Sequence, residues 1–153
     1  MPTNPYGPDD NFSASGSHVL PALIRRYDEA VASGAESVTN WGTGSPRREF
    51  LHVDDLADAC LHLLEHYDGS EQVYVGSGTD LTVKKLVDTV SDVMGYSGET
   101  RWDATKPEGT PQKMLDVSKL AKLGWASKIG LREGIESAVE WYRAHRESVR
   151  GSS

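Results

Sequence analysis

Apolar residues recur at helical spacing in four segments of the chain, and short runs of alternating character separate them. The spacing predicts helices over about 18–33, 53–67, 83–94 and 131–146. Gly34 and Gly95 directly follow two of these segments, where a glycine commonly ends a helix. Short strands are expected at 37–40, 49–53, 72–75 and 101–103. Because helices alternate with short strands, the pattern predicts an α/β fold.

The first eight residues, MPTNPYGP, contain three prolines and therefore predict an extended or turning path rather than a helix. The next segment, DDNFSASGS, is a loop of small residues whose last residue, Ser17, is expected to cap the first long helix. His18 then lies at the start of that helix, where the helix dipole disfavours positive charge. A neutral histidine beside a polar loop suits acid-base chemistry, although a histidine at such a position is more often an ordinary surface residue.

Composition narrows the range of partners. The 153 residues carry a formal net charge of −7, which argues against nucleic acid as the main partner. A phosphorylated small molecule remains compatible, because it needs only two or three well-placed cations. Cys60 is the single cysteine, so no intramolecular disulfide or cysteine-based zinc site is expected, and its helical neighbours predict that it lies in the core. No apolar run reaches membrane-spanning length, so a cytoplasmic protein with no membrane partner is expected.

The stretch WGTGSPRREFLHVDD at 41–55 brings together a glycine-rich loop, two adjacent arginines, a short strand and the start of a helix. Gly42 and Gly44 permit tight turns after the aromatic Trp41, which suits a platform for a nucleobase or sugar. Arg47 and Arg48 supply the planar guanidinium groups that bind phosphate oxygens. A strand, a helix cap and two surface arginines would account for the same residues without any ligand.

Three motifs in order, PTNPYGP, WGTGSPRREFLHVDDLADA and KPEGTPQKMLD, resemble the C-terminal half of the GDP-L-fucose synthase family. The resemblance covers about residues 2–145. This family belongs to the extended short-chain dehydrogenase/reductases. The resemblance implies the C-terminal substrate-binding part of such a fold, lacking most of the N-terminal Rossmann sheet. It divides the chain into the end of the nucleotide-binding domain at 1–16, a substrate-binding domain at 17–148 and a disordered tail at 149–153.

The resemblance also implies a function and its residues. The whole enzyme converts GDP-4-keto-6-deoxy-D-mannose to GDP-L-fucose by 3,5-epimerisation and then 4-reduction with NADPH, and it is a homodimer through helices of the missing half. His18 is implied to act as the acid of the epimerisation and to contact the cofactor. The remaining cofactor-binding candidates are Pro2, Thr3, Asn4 and Pro5. The implied contacts to the GDP-sugar are Arg26, Trp41, Arg48, Glu108 and Lys113.

Several features depart from the family pattern. Pro5, Glu108 and Gln112 stand where the family motifs carry leucine, aspartate and arginine. None of the six tyrosines has a lysine four residues later, and no glycine-rich strand-to-helix turn of the dinucleotide-binding type is present. The chain alone is therefore expected to be inactive, and the strand at Pro2 is expected to lack neighbours within it. A free-standing nucleotide-sugar binding module and part of a related nucleotide-sugar 4-epimerase are the alternative interpretations.

Overall fold

The computed structural model describes residues 1–14 and 16–150 and contains five helices and six strands within them. The helices are α1 (Val19–Ser33), α2 (Val53–His66), α3 (Val83–Met94), α4 (Ser118–Lys122) and α5 (Leu131–Arg150). The strands are β1 (Asn4–Tyr6), β2 (Ser37–Trp41), β3 (Arg47–His52), β4 (Asp80–Thr82), β5 (Glu99–Asp103) and β6 (Gln112–Lys113). The α/β class expected from the sequence is confirmed.

Strand β3 is the centre of a four-stranded sheet. It pairs in parallel with β1 along its second half and, along its first half, antiparallel with β4 and in parallel with β6. Arg48 is therefore flanked by Leu81 on one side and Lys113 on the other. A separate two-stranded sheet joins β2 to β5 in parallel, with Trp41 opposite Asp103 at its end.

The prolines at the start of the chain are tied into this sheet. The expectation that the strand at Pro2 has no neighbours was wrong, because β1 pairs with β3 and Pro2 forms a bridge with Val75. The strand expected at 72–75 is also absent as a strand: only the bridge at Val75 is formed. Backbone bonds from Thr3 N to Val75 O and from Val75 N to Met1 O, at 2.9 and 3.0 Å, fix this contact.

The main core lies between α1, α3 and α5. Each of these helices buries the apolar stripe that its spacing predicts, and Ile24, Val87 and Ile135 are completely buried within it. Thr82 caps α3 by accepting a hydrogen bond from Lys85 N, as its position before the apolar run indicates. A second, smaller core lies under α2 and includes Leu51, Ala59 and Trp125.

The ends and faces of the helices differ from expectation in three places. The N-cap of α1 is His18 rather than Ser17, and its side chain makes no capping bond. Cys60, expected in the core, is exposed, and Leu64 on the same helix is 80% exposed. Helix α5 continues to Arg150, whereas the tail was expected from residue 149; residues 151–153 lie outside the described part. No helix in the described residues is both long enough and apolar enough to cross a membrane.

Two buried carboxylates hold loops in place around this frame. Asp55 at the start of α2 accepts hydrogen bonds from the backbone N–H groups of Lys128 and Ile129, at 2.9–3.2 Å. Glu49 on β3 is completely buried and accepts bonds from Gly78 N at 2.8 Å and Leu115 N at 3.1 Å. A buried carboxylate is tolerated only when such donors replace water.

A third carboxylate, Asp80, joins the three strands at the open end of β3. Its Oδ1 accepts from Arg47 Nε and Nη2 at 2.9 and 2.6 Å, and its Oδ2 accepts from Gln112 Nε2 at 2.5 Å. The hydrogen bonds from Arg47 and then Gln112 lower the pKa of Asp80 below its usual range. Gln112, which stands in place of the arginine of the family motif, thus braces β6 against β4.

We predict that this brace makes folding stability depend on acid pH. A carboxylate whose pKa is lower in the folded than in the unfolded protein stabilises the folded state at pH values above its unfolded pKa, about 3.9 for aspartate. This stabilisation is lost as the pH falls through the folded pKa. Wild type should therefore lose more stability than an Asp80→Asn variant between about pH 5 and pH 3. Urea unfolding across this range measures the difference.

Asp88→Asn provides the matched control, since Asp88 is an exposed residue of α3 and the substitution removes the same charge. Parallel pH profiles for wild type and Asp80→Asn would contradict the role of the brace.

Candidate functional site

Two adjoining cavities open beside the end of β2 and share Val19, Trp41 and Val83 in their walls. Their volumes are about 220 and 290 Å³. We call the combined space the Trp41 cleft. The smaller cavity is completed by Gly44, Pro46, Arg48, Pro107 and Glu108, and the larger by Ser17, Ala22, Leu23, Arg26, Asn40, Val87 and Trp102. Four of the five residues predicted to bind the GDP-sugar therefore line one cleft.

The loop between β2 and β3 forms one wall of the cleft and is fixed from both sides. Gly44 adopts a φ of 75°, and a Cβ at this position would lie 2.6 Å from the ring of Trp102. Its carbonyl accepts a hydrogen bond from Lys84 N at 2.8 Å, and Pro46 O accepts one from Val83 N at 2.8 Å. Only glycine fits this contact, so the loop turns closely over Trp102 and onto the start of α3.

Trp41 projects from the end of β2 with 62% of its surface exposed. The Nζ atom of Lys106 lies 5.9 Å from the centre of its ring, at the outer limit for a cation–π contact. A large exposed aromatic surface costs free energy in water. It therefore offers a planar ligand such as a nucleobase a favourable surface to cover.

The two adjacent arginines of β3 have different surroundings. Arg47 is engaged by Asp80 on the far side of the strand, and this carboxylate raises the pKa of its guanidinium. Arg48 lines the cleft, where Nη1 donates to Arg47 O at 2.7 Å and Nη2 lies 3.5 Å from Glu108 O. No carboxylate within the described residues forms an ion pair with Arg48. Its guanidinium group therefore faces the cleft without a carboxylate partner, whereas that of Arg47 is paired.

Glu108 closes the outer side of the cleft. Its Oε2 accepts hydrogen bonds from Thr43 N at 2.9 Å and from Thr43 Oγ1 at 2.7 Å. The hydrogen bond from the Thr43 hydroxyl is the main cause of the lowered pKa of this carboxylate. These two hydrogen bonds connect the segment after β5 to the loop before β3. Because its pKa is lowered, Glu108 is ionised near neutral pH.

Arg26 lies at the inner end of the cleft and is held by a chain of polar side chains. Its Nη1 donates to Asn40 Oδ1 at 3.1 Å, and Asn40 Nδ2 donates to Tyr27 Oη at 3.1 Å. The Tyr27 hydroxyl in turn pairs with Thr100 Oγ1 at 3.1 Å. Asn40 is buried and was missed in the sequence analysis; its only signal was a polar residue at an inward position of a predicted strand.

His18 and Lys113 stand at the margins of the cleft rather than in its walls. His18 is exposed at the N-terminus of α1, between the lining residues Ser17 and Val19. Lys113 is exposed on β6, in register with Arg48. Both side chains are accessible to a ligand that extends beyond the cleft.

The segment predicted to contact the cofactor lies along β1, apart from the cleft walls. The side chains of Thr3 and Asn4 both donate to the backbone carbonyl of Glu49, at 3.2 and 2.7 Å. Pro2 and Pro5 are exposed. The side chains of Thr3 and Asn4 therefore connect this segment to β3. The exposed surface of the segment is formed largely by the two prolines.

The pair His62 and His66 on α2 is not arranged as a metal site. The two rings stack at 4.3 Å, and one nitrogen of each ring bonds to a backbone carbonyl. Throughout the part of the chain that the structure describes, no group of three or more potential ligands is arranged to hold a metal ion.

Known proteins resemble this chain along nearly its whole length. The chain is 58% identical over 142 residues to GDP-L-fucose synthase 1 of Arabidopsis thaliana, covering 93% of this chain and 44% of that relative. It is 47% identical over 160 residues to the GDP-L-fucose synthase of Escherichia coli K12, with coverages of 99% and 50%. The chain thus spans about half the length of the curated relatives it matches.

A solved structure shows the same fold. The crystal structure of a GDP-L-fucose synthetase from Naegleria fowleri bound to NADP superposes with a TM-score of 0.92 at 26% identity. This match covers 97% of this chain and 47% of that protein. Residues 1–76 also match the NAD dependent epimerase/dehydratase family. With its α/β fold, this chain resembles GDP-L-fucose synthases along nearly its whole length, and its first half matches the NAD dependent epimerase/dehydratase family.

Proposed function

We propose that this chain is the GDP-sugar-binding part of a GDP-L-fucose synthase. The whole enzyme would convert GDP-4-keto-6-deoxy-D-mannose to GDP-L-fucose, by 3,5-epimerisation followed by NADPH-dependent 4-reduction. The observation that carries the proposal is the Trp41 cleft, which gathers an aromatic platform, two arginines and a carboxylate in one concave surface. The names of the relatives support the identity of the ligand.

The chemistry of the cleft suits a nucleoside diphosphate sugar. The guanine base stacks on Trp41, and Arg48 binds the diphosphate through charge-assisted hydrogen bonds. Arg26, at the other end, provides a second cation for the sugar-phosphate side. Glu108 accepts from a ribose hydroxyl or a base edge, and Lys113 at the rim adds a further positive charge. An acidic protein can thus bind a dianionic ligand by concentrating its cations locally.

His18 is proposed as the acid of the epimerisation. Inversion at a carbon beside a keto group removes a proton from one face and returns one to the other. An exposed histidine between two residues of the cleft wall can reach a sugar that extends past Arg26. The family resemblance also implies a cysteine as the base of this step. Cys60, the single cysteine of the sequence, is exposed on α2 and lines neither cavity of the cleft.

This chain would contribute only a few exposed residues to the cofactor site. The exposed prolines, Pro2 and Pro5, together with His18, would line the nicotinamide end of NADP(H), which supplies the hydride of the reduction. Pro5 offers no backbone N–H, and Thr3 and Asn4 already donate to Glu49 O. The described residues of this segment offer no glycine-rich or cationic cradle for the cofactor pyrophosphate. That part of the cofactor site is assigned to a Rossmann half outside this sequence.

The remaining organisation follows from the same assignment. Residues 1–16 represent the end of the nucleotide-binding domain, and residues 17–148 the substrate-binding domain. The whole enzyme is proposed to be a cytoplasmic homodimer. The site is proposed to serve a small nucleotide sugar and not nucleic acid.

A second candidate function is binding without catalysis. The sequence contains neither a Tyr-x-x-x-Lys pair nor a glycine-rich dinucleotide turn, although the cleft for the nucleotide sugar is formed. The chain would then be a nucleotide-sugar binding module. Both candidates predict nucleotide binding, and they differ in whether the chain takes part in turnover.

We predict that the 153-residue chain binds GDP and that Arg48→Ala weakens binding by about 10- to 100-fold. This range corresponds to the loss of hydrogen bonds to a charged group, about 1.5–3 kcal/mol. Isothermal titration with GDP measures the effect. UDP should bind more weakly than GDP, and a preference for UDP would favour a related 4-epimerase.

Arg132→Ala is the control, because Arg132 is an exposed arginine of α5 that pairs with Asp92 and lies outside the cleft walls. An equal loss of GDP affinity in both variants would indicate a general charge effect and contradict the assignment of Arg48.

The chain alone is predicted not to oxidise NADPH in the presence of GDP-4-keto-6-deoxy-D-mannose. The reason is the absence of a tyrosine followed four residues later by lysine, the pair that the family uses in reduction. Absorbance at the nicotinamide band follows the reaction. Substrate-dependent oxidation by this chain would contradict the proposal that reduction needs another half.

A further inference from the structure

Glu49 is a completely buried carboxylate placed next to the arginine of the cleft, and the function proposed above does not use it. It follows Arg48 on β3, so its side chain points to the opposite face of the sheet from the guanidinium. A group of this kind is costly to bury without partners, so the donors that surround it show what it holds.

Within the described residues, the donors to the Glu49 carboxylate come from two segments outside β3. Its Oε1 accepts from Gly78 N at 2.8 Å and from Ser77 Oγ at 3.5 Å, and its Oε2 accepts from Leu115 N at 3.1 Å. Gly76 leaves the space that the carboxylate fills, because a Cβ there would collide with Glu49 Oε1. The carboxylate thus joins the loop before β4 to the chain just after β6.

The second of these segments carries the outer wall of the cleft. Residues 106–115 contain Glu108, then β6, and then the anchored Leu115. Upstream of the anchor the segment touches β3 through the 2.7 Å bond from Arg47 N to Pro111 O, and through the β6 register with Arg48. The bond to Leu115 therefore fixes the end of a segment whose Pro107 and Glu108 line the cleft.

A carboxylate suits this position better than an amide would. Glu49 offers two acceptor oxygens to three donors and no hydrogen of its own. A glutamine would turn one oxygen into an NH₂ group facing a backbone N–H, either at Gly78 or at Leu115. One of the two segments would then lose its anchor while the volume of the side chain stays the same.

We propose that Glu49 is a positioning residue of the nucleotide site, which holds the 106–115 segment against Arg48 and so sets the affinity for the GDP portion of the ligand. This inference rests on the proposed function. Glu49 does not touch the ligand. Through its bond to Leu115 it positions Glu108 and Lys113. Through its bond to Gly78 it positions β4, whose Asp80 accepts a hydrogen bond from Gln112.

The test compares Glu49→Gln with wild type by titration of GDP and by hydrogen exchange resolved to the 106–115 segment. The proposal predicts that GDP affinity falls by about tenfold or more, as expected for losing a bond to a charged group. It also predicts faster exchange at 106–115 with no nucleotide present. Gly76→Ala displaces the carboxylate without removing it, so it should also lower GDP affinity and speed exchange at 106–115. This variant replaces Glu49→Gln in the test if Glu49→Gln does not fold.

Asp55→Asn is the matched control. Asp55 is likewise a buried carboxylate that accepts backbone N–H bonds, but its loop at Lys128 and Ile129 is not part of the cleft. It should lower stability while leaving GDP affinity within about twofold, so a purely structural effect of Glu49 is distinguishable.

Unchanged GDP affinity in Glu49→Gln, or an equal loss in Asp55→Asn, would overturn the positioning role while leaving the proposed function intact. Failure of wild type to bind GDP would instead overturn the proposed function, and with it this inference. Loss of affinity confined to Glu49→Gln and Gly76→Ala, with faster exchange at 106–115, supports it.

Discussion

The hydrogen bonds of the buried Glu49 carboxylate are the constraint on which the arrangement around β3 depends. A charge in a dry interior must be surrounded by donors, and here they come from two segments distant in sequence. Thr3 and Asn4 add two further bonds to the carbonyl of the same residue. One position on the central strand thus connects the start of the chain, the loop before β4 and the segment after β6.

The two adjacent arginines of β3 have different roles in the arrangement around this strand. Because successive side chains of a strand point to opposite faces, Arg47 meets Asp80 and strengthens the sheet, while Arg48 reaches the cleft. Trp41 and Glu108 then approach Arg48 from a glycine-rich loop and from the segment held by β6. The resulting surface has Trp41 in the walls of both cavities, with Arg48 in one and Arg26 in the other, in a chain whose net charge is −7.

The sequence predicted most of the regular elements because their signals are local. The stripes of α1, α3 and α5, the cap at Thr82 and the glycine at the end of α3 follow from spacing and chemistry within one element. Burial that depends on distant contacts was not predictable in this way. Cys60 faces solvent although its spacing indicated a core position, and 72–75 contributes one bridge rather than a strand. The burial of Asn40 and Glu49 was not predicted either, because it depends on hydrogen-bond partners from other segments of the chain.

The central claim is that a guanosine diphosphate occupies the Trp41 cleft, and a crystal structure of this chain grown with GDP tests it most directly. The account predicts a guanine ring stacked on Trp41, with Lys106 displaced from above the ring, and a diphosphate within hydrogen-bond distance of Arg48. A nucleotide bound elsewhere on the chain, or a diphosphate that makes no contact with Arg48, would contradict it.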